Sequence, residues 1–582
     1  MQAAEWILAN FSLPTKDSFT YGASGNPYLD YHWLFQIYTY TTYMIGGTLG
    51  AIFGKTFLIW LSFFILILRL NLNHKLNLTS LTLCLIGILA ISPFFETRPH
   101  GFSWVFLNLT CYCLEAHHLK KDVRYLYALP AILFLWINTH ATVYILGFVV
   151  IGAYIIEGIW LKKKINFTLI KTSLFCLLAC LMNPEFLDRV LAPFNLLDST
   201  VYSDLFKDSI IELQPVFASS HYYFKGRFIL FNQFFPIHLY FVLSLLTVIL
   251  NYKRLKPQEI IIYVLFSYVL FMAAKNLSLF IFATLPLIAN LLAININKIK
   301  FNLDKVRFFG YGLLLLFSSY LALTITSGKY YIDRAMPYHF GHNFNSLKLP
   351  VKAADFLVSN KLNGKILNLM GDGGYLGWRL PQKVFIDGRL EVMQAKLYKE
   401  YQDATKSAVG FVAALNKHQP EIIIYPYENL LHWTEYLNQS KFWRLVYFDN
   451  HSAIYLFNSY AKNITELDIN STIENSHLKK TFSQSNSIIN RLYHTPFYKK
   501  QTYPEAARLK SIFYYHQDNY DGAIYWGLKA LETASAPYSA LYFNLGSYYF
   551  RVKDYPKAKL CYQKSLELEP NPLALKRLKM MR

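Results

Sequence analysis

Ten apolar stretches lie between Gly50 and Ile325, and every second connector between them is basic. No other feature limits the fold as strongly, because stretches of this kind must be buried in a core or in lipid. Hydropathy places them near 50–69, 77–94, 101–117, 125–138, 142–161, 167–183, 236–251, 259–274, 277–296 and 306–326. A helix needs about 20 residues to cross a hydrocarbon core, so the shorter stretches around Asn138 and Lys275 predict broken or re-entrant helices. The chain is 54% hydrophobic yet carries a formal charge of +21. Membrane spans joined by basic loops account for both, and the charge is assigned to those loops, with no nucleic acid as partner.

The basic connectors hold Arg69 and Lys75; Lys120, Lys121 and Arg124; Lys162 to Lys164; Lys253, Arg254 and Lys256; and Lys298, Lys300, Lys305 and Arg307. The positive-inside rule makes these cytoplasmic. The exterior side then receives a first loop, 1–49, with interfacial helices, the turns Glu96–His100 and Asn138–His140, the loop 184–235, and the Lys275 region. A transmembrane domain over 50–327 follows, with the C-terminal tail outside the cytoplasm. Residues 1–11 are too short to span and lack the basic start of a signal peptide. With residue 1 outside, a span preceding Met1 is expected, a short interfacial helix being the alternative. Cys84, Cys111, Cys113, Cys176 and Cys180 fall in spans and Cys561 stands alone in the tail, so no disulfide framework or CxxC metal site is available.

The tail divides into three. Over 345–458, helical and strand patterns alternate: a helix at 351–360, strands at 365–369, 384–386 and 422–425, helices near 393–416 and 430–439, and strands at 444–448 and 453–457. This predicts a small α/β domain. Gly371, Gly373 and Gly374 read as a turn, since GDGG lacks both GxGxxG and the Lys-Ser/Thr of a phosphate loop. Residues 459–502 are polar and read as a linker. Within 503–582, Tyr542, Leu545, Gly546, Tyr549, Ala558, Tyr562, Ser565 and Pro570 have tetratricopeptide spacing, and a shift of 35 residues finds a second unit. Two units, 503–536 and 538–571, are expected with a capping helix. Such repeats need stacking neighbours, so the pair should dock on the α/β domain, dimerise or meet a protein partner.

Polar and ionisable residues gather at the exterior ends of the apolar stretches: Asp17, Asp30, His32, Glu96, Arg98, His100, Asn138, His140, Glu185, Glu212 and Lys275. Each alone is ordinarily an anchor or a turn former. Carboxylates, imidazoles and cations sharing one cavity, however, can hold a phosphate and activate a hydroxyl. Asp387 and Arg389, in VFIDGR, follow a predicted strand, where α/β domains commonly present ligand groups; an internal ion pair is the alternative.

The blocks SLPTKDSFTY, GNPYLDYHWLFQ, ETRPHGFSW, LWINTHATV, MNPEF, IIELQP and GDGGYLGWRLPQKVFIDGR come in an order that resembles a group of bacterial polytopic proteins. That group is related to GT-C glycosyltransferases, and many of its members end in tetratricopeptide repeats. The resemblance implies transfer of a sugar from a polyprenyl-phosphate-linked donor to an envelope acceptor, outside the bacterial inner membrane. The group's acidic residue, in an Asp-aromatic-His stretch, would fall before Met1, which leaves Asp30 and Asp17 as catalytic carboxylates, acting as base or as ligand to a divalent cation. Arg98 and Lys275 would bind the donor phosphate. His32, Glu96, His100, Asn138, His140, Glu185 and Glu212 would position substrate. A non-catalytic, membrane-anchored scaffold for envelope assembly is the competing expectation.

Overall fold

The computed structural model describes residues 1–72, 76–162, 166–198, 213–217, 223–224, 227–228, 235–296, 303–332, 340–469, 504–534 and 539–581. The chain forms two compact units. The first comprises Met1–Thr15 and Tyr28–Phe317, and the second Lys16–Pro27 and Ser318–Arg582.

The first unit is helical: α1 (Gln2–Asn10), α2 (Trp33–Leu72), α3 (Leu78–Ile91), α4 (His100–Lys120), α5 (Leu129–Thr139), α6 (Ile145–Lys162), α7 (Phe167–Leu181), α8 (Leu187–Val190), α9 (Phe235–Leu250), α10 (Pro257–Met272) and α11 (Leu277–Ile296), with α12 (Leu303–Ser327) running past its end. Apolar runs supply the interiors and polar residues set the starts. Asn77 and Ser80 form a reciprocal capping box at α3, the Asn166 side chain caps α7, and Pro257 occupies the first turn of α10. Leu66, Leu107, Trp136, Phe280, Ile281 and Leu285 are fully buried in one continuous core. Among the described residues, three helical runs are long and apolar enough to cross a membrane: Trp33–Leu72, Ala274–Ile296 and Arg307–Ser327. Five shorter apolar helices accompany them.

The run Trp33–Leu72 is not one rod. Gly46 and Gly47 leave helical geometry, Gly47 with φ 58°. Tyr38 Oη then donates to the Gly54 carbonyl at 3.0 Å, whereas residues that far apart in a straight helix lie about 24 Å from one another. The segment 33–45 therefore folds back on 48–72. Gly50 permits this, because a Cβ there would sit 1.9 Å from the Thr42 carbonyl oxygen. Arg69 also differs from expectation. It is buried, not a loop cation: it pairs with Glu115 at 2.6 Å and donates to Asn108 at 2.9 Å and to the Phe282 carbonyl. A guanidinium with this many acceptors is stable inside a helix bundle, so Arg69 leaves the set of side-marking charges.

In the second unit, α13 (Val351–Ser359), α14 (Met370–Arg379), α15 (Leu390–Lys406), α16 (Ala408–His418) and α17 (Leu431–Gln439) surround a four-stranded sheet. Its order is β1 (Ile366–Leu367), β2 (Ile422–Pro426), β4 (Ser452–Phe457), β3 (Trp443–Phe448), with β1–β2 parallel and the other pairs antiparallel. The expected strand at 384–386 appears as single bridges from Val384 to Ile366 and to Thr20. The glycines of GDGG are in α14, not in a turn. The reason is close packing: a Cβ on Gly373 would lie 1.9 Å from the Ile386 carbonyl oxygen.

The segment Lys16–Pro27 belongs to this unit through backbone pairing. Tyr21 and Gly22 donate N–H groups to the Val384 and Phe385 carbonyls at 2.9 and 3.1 Å. The Tyr21 hydroxyl donates to the Ile366 carbonyl at 2.9 Å. An element expected in a membrane-side loop is thus an edge of the α/β sheet.

Two helical hairpins complete the unit, α18 (Glu505–His516) with α19 (Tyr520–Thr533) and α20 (Ser539–Arg551) with α21 (Tyr555–Leu568), followed by α22 (Pro572–Met580). The first hairpin docks on the α/β domain. Phe513 stacks on Phe448 with ring centroids 4.3 Å apart, Arg508 pairs with Glu428, and Gln517 donates to the Tyr455 hydroxyl.

Candidate functional site

The polar residues of the first unit converge at helix breaks. Asp30 lies in the bend before α2, where its Oδ1 accepts from the His32 N–H and from Gln36 Nε2, each at 3.0 Å. α5 stops at Thr139, because His140 leaves helical geometry and the next N–H, from Ala141, turns to the Tyr31 carbonyl at 3.1 Å. Trp33 Nε1 donates to Asn138 Oδ1 at 3.2 Å, tying the same two segments together. The rings of His32 and His140 have centroids 5.0 Å apart, and His100, at the start of α4, stands 5.0 Å from His140 on another side.

Lys275 sits in the short 3₁₀ turn Ala274–Asn276 that breaks α10 from α11. The Ala274 N–H is taken by the Gln214 carbonyl at 2.9 Å, which fixes that break. Lys275 is within electrostatic reach of all three imidazoles. Burial, followed by the charges of Arg189 and Lys275, holds the His32 imidazole down at about 3, so the ring is neutral. Trp136 Nε1 donates to Ser103 Oγ at 2.9 Å, and Ser103 Oγ is 2.7 Å from His140 Nδ1.

Glu185 and Arg189 join this group. Arg189 is fully buried; its Nη2 reaches the Asp30 carbonyl at 2.5 Å and pairs with Glu185. Burial raises the Glu185 carboxyl above its ordinary range, with Arg189 pulling the other way. Glu96 and Arg98 form an ion pair at 2.9 Å on the rim of a cleft. That cleft lies between the folded-back start of α2 and the start of α4, lined among others by Tyr38, Thr39, Lys55, Thr97 and Trp104.

Asp30, His32, His100, Asn138, His140, Glu185 and Lys275 are therefore brought together, with Glu96 and Arg98 at the neighbouring cleft. Glu212 lies outside the described residues. Asp17, Asp387 and Arg389 belong to the second unit. There Arg389 Nε bonds Asp387 at 2.9 and 3.1 Å and its Nη2 bonds Asp17 Oδ1 at 2.7 Å. Asp17 also accepts from Thr20 Oγ1 at 2.5 Å and from the Phe19 and Thr20 N–H groups. These three side chains close a loop around the arm and are spent on one another.

Sequence reasoning missed Arg189, Ser103 and Lys55. Only Arg189 carried a signal, its i,i+4 spacing from Glu185. Among the described residues no three His, Cys, Asp or Glu side chains are grouped to hold a metal ion.

Residues 539–572 match the tetratricopeptide repeat family. That stretch corresponds to α20, α21 and the turn into α22, and a role in protein contact goes with it. No curated protein matches the chain.

Proposed function

We propose that the protein is a multi-pass enzyme of the bacterial inner membrane that transfers a sugar from a polyprenyl-phosphate-linked donor to an envelope acceptor. Its second unit lies on the extracytoplasmic side. The observation that carries this reading is the meeting of Asp30, His32, His100, His140 and Lys275 at successive helix breaks of an otherwise apolar unit. Ionisable groups are costly in such surroundings and collect where substrate is handled.

In the reaction, Asp30 takes the proton of the acceptor hydroxyl. The acceptor oxygen attacks the anomeric carbon as the bond to the phosphate oxygen breaks, and the lipid phosphate leaves with the electron pair. Direct displacement inverts the anomeric centre. Lys275 stabilises the leaving charge, and the His32 and His140 imidazoles orient oxygens by hydrogen bonds.

The test is release of polyprenyl phosphate from a polyprenyl-phosphate sugar by the full chain in lipid nanodiscs. Asp30→Asn is expected to slow release by about 10²–10⁴-fold, the usual contribution of a positioned base. Full activity in that variant would overturn the assignment. A second reading, a non-catalytic scaffold for envelope assembly, is favoured by the repeat at 539–572. It requires that Asp30→Asn leave the cellular phenotype intact while loss of the repeat abolishes it.

A further inference from the structure

Arg189 is held by the MNPEF segment in an unusual way. Phe186 has φ 48° and ψ −115°, a strained conformation for a residue with a bulky side chain. Asn183 clamps it: its Nδ2 donates to the Cys180 and Phe186 carbonyls at 2.8 and 3.0 Å, and its Oδ1 accepts from the Glu185 N–H at 2.9 Å. The clamp turns Glu185 and Arg189 inward, toward Asp30.

The guanidinium is only half used there. Nη2 serves the Asp30 carbonyl and Glu185, while Nε and Nη1, both buried, have no hydrogen-bond partner among the described residues. Buried donors without acceptors are rare and costly, and this one is positioned by a strained turn beside His32. Arg98, by contrast, is 43% exposed on its side chain and already paired with Glu96.

We propose that Arg189 is the cation that binds the phosphate of the donor lipid, a diester in the donor and a monoester once the sugar has left, with Lys275 as its companion and Arg98 confined to the cleft rim. The proposal rests on the sugar-transfer reading for the identity of the ligand, but not for the existence of an oxyanion site. A planar guanidinium offers phosphate directed donors, which a lysine in its place does not. Acceptance of the phosphate would satisfy Nε and Nη1 and bring the leaving group next to Asp30.

The experiment measures binding of a long-chain polyprenyl phosphate, and separately of inorganic phosphate, to the full chain in nanodiscs of zwitterionic lipid. Arg189→Gln is expected to weaken binding at least about tenfold. Arg189→Lys, which keeps the charge and guards against a folding defect, should weaken it nearly as much, and Arg98→Gln should change it less than about threefold. Equal binding by Arg189→Lys and wild type would overturn the proposal while leaving sugar transfer standing. Arg189-dependent binding of inorganic phosphate without lipid binding would support the oxyanion site and sink the donor assignment. Absence of both in wild type would overturn the site itself.

Discussion

Phe513→Ala probes how the repeats are held. Phe513 is fully buried between two parts of the second unit, stacked on Phe448 at 4.3 Å and 17° and tilted against Tyr427 at 4.8 Å. Each such aromatic pair contributes about 0.5–1.5 kcal/mol beyond area burial, and truncating a buried Phe costs about 3–5 kcal/mol in total. The neighbouring polar contacts, Arg508 to Glu428 and Gln517 to Tyr455, do not replace that loss, because Glu428 is part exposed and its pairing is screened. Repeat arrays depend on their interfaces, so the cost should fall on both helices of the first hairpin, 505–533. Hydrogen exchange of the full chain, read on peptides from that span, should show opening made easier by about 3 kcal/mol or more. Leu560→Ala, at a side chain 52% exposed, should change it by less than about 0.5 kcal/mol. If Phe513→Ala leaves protection within about 1 kcal/mol of wild type, the α/β domain is not the stacking neighbour of the repeats.

His451 should make the second unit sensitive to pH. Both ring nitrogens face acceptors, the Leu347 carbonyl at 3.2 Å and Asp372 Oδ1 at 3.1 Å. Burial lowers its pKa, but the hydrogen bond and charge of Asp372, with Asp449, outweigh burial and raise it above the ordinary value. A raised histidine stabilises fully below its unfolded value of about 6.5, and that stabilisation is lost as pH rises through the folded value. The thermal midpoint advantage of wild type over His451→Gln should therefore shrink between about pH 6 and pH 9, and an advantage that stays constant would contradict the pairing. Asp17→Asn should loosen the arm at 16–27 by about 1–3 kcal/mol, read as faster exchange at Phe19 to Gly22, since it weakens the bond to Arg389.

Local patterns were legible. The predicted apolar stretches each coincide with helix, and the α/β elements other than the strand at 384–386 and the GDGG turn fall within a few residues of their expected places, because period and run length are properties of neighbouring residues. The docking of the repeats on the α/β domain was one of the expected outcomes. What escaped was pairing over distance. Nothing in LPTKDSFTY marks it as the edge of a sheet whose nearest strands begin more than three hundred residues later. Arg69 resembled a loop cation because its acceptors, Glu115, Asn108 and Phe282, come from other helices. GDGG resembled a turn because glycine is ambiguous between flexible and closely packed, and only the Ile386 carbonyl distinguishes the two. Of the candidate site, the residue types were legible; their division between two units was not.

The arm at 16–27 imposes an order on biosynthesis. It leaves the ribosome early, yet its partners at Ile366 and Arg389 follow 345 and 372 residues behind Tyr21 and Asp17. At about 5–20 residues per second, the wait is roughly 20–75 s. During that interval most of the apolar helices are made and must find their own places while the arm stays unclaimed. A fragment beginning after residue 27 would fold its sheet with Val384 and Phe385 uncovered, a ready template for intermolecular strand pairing.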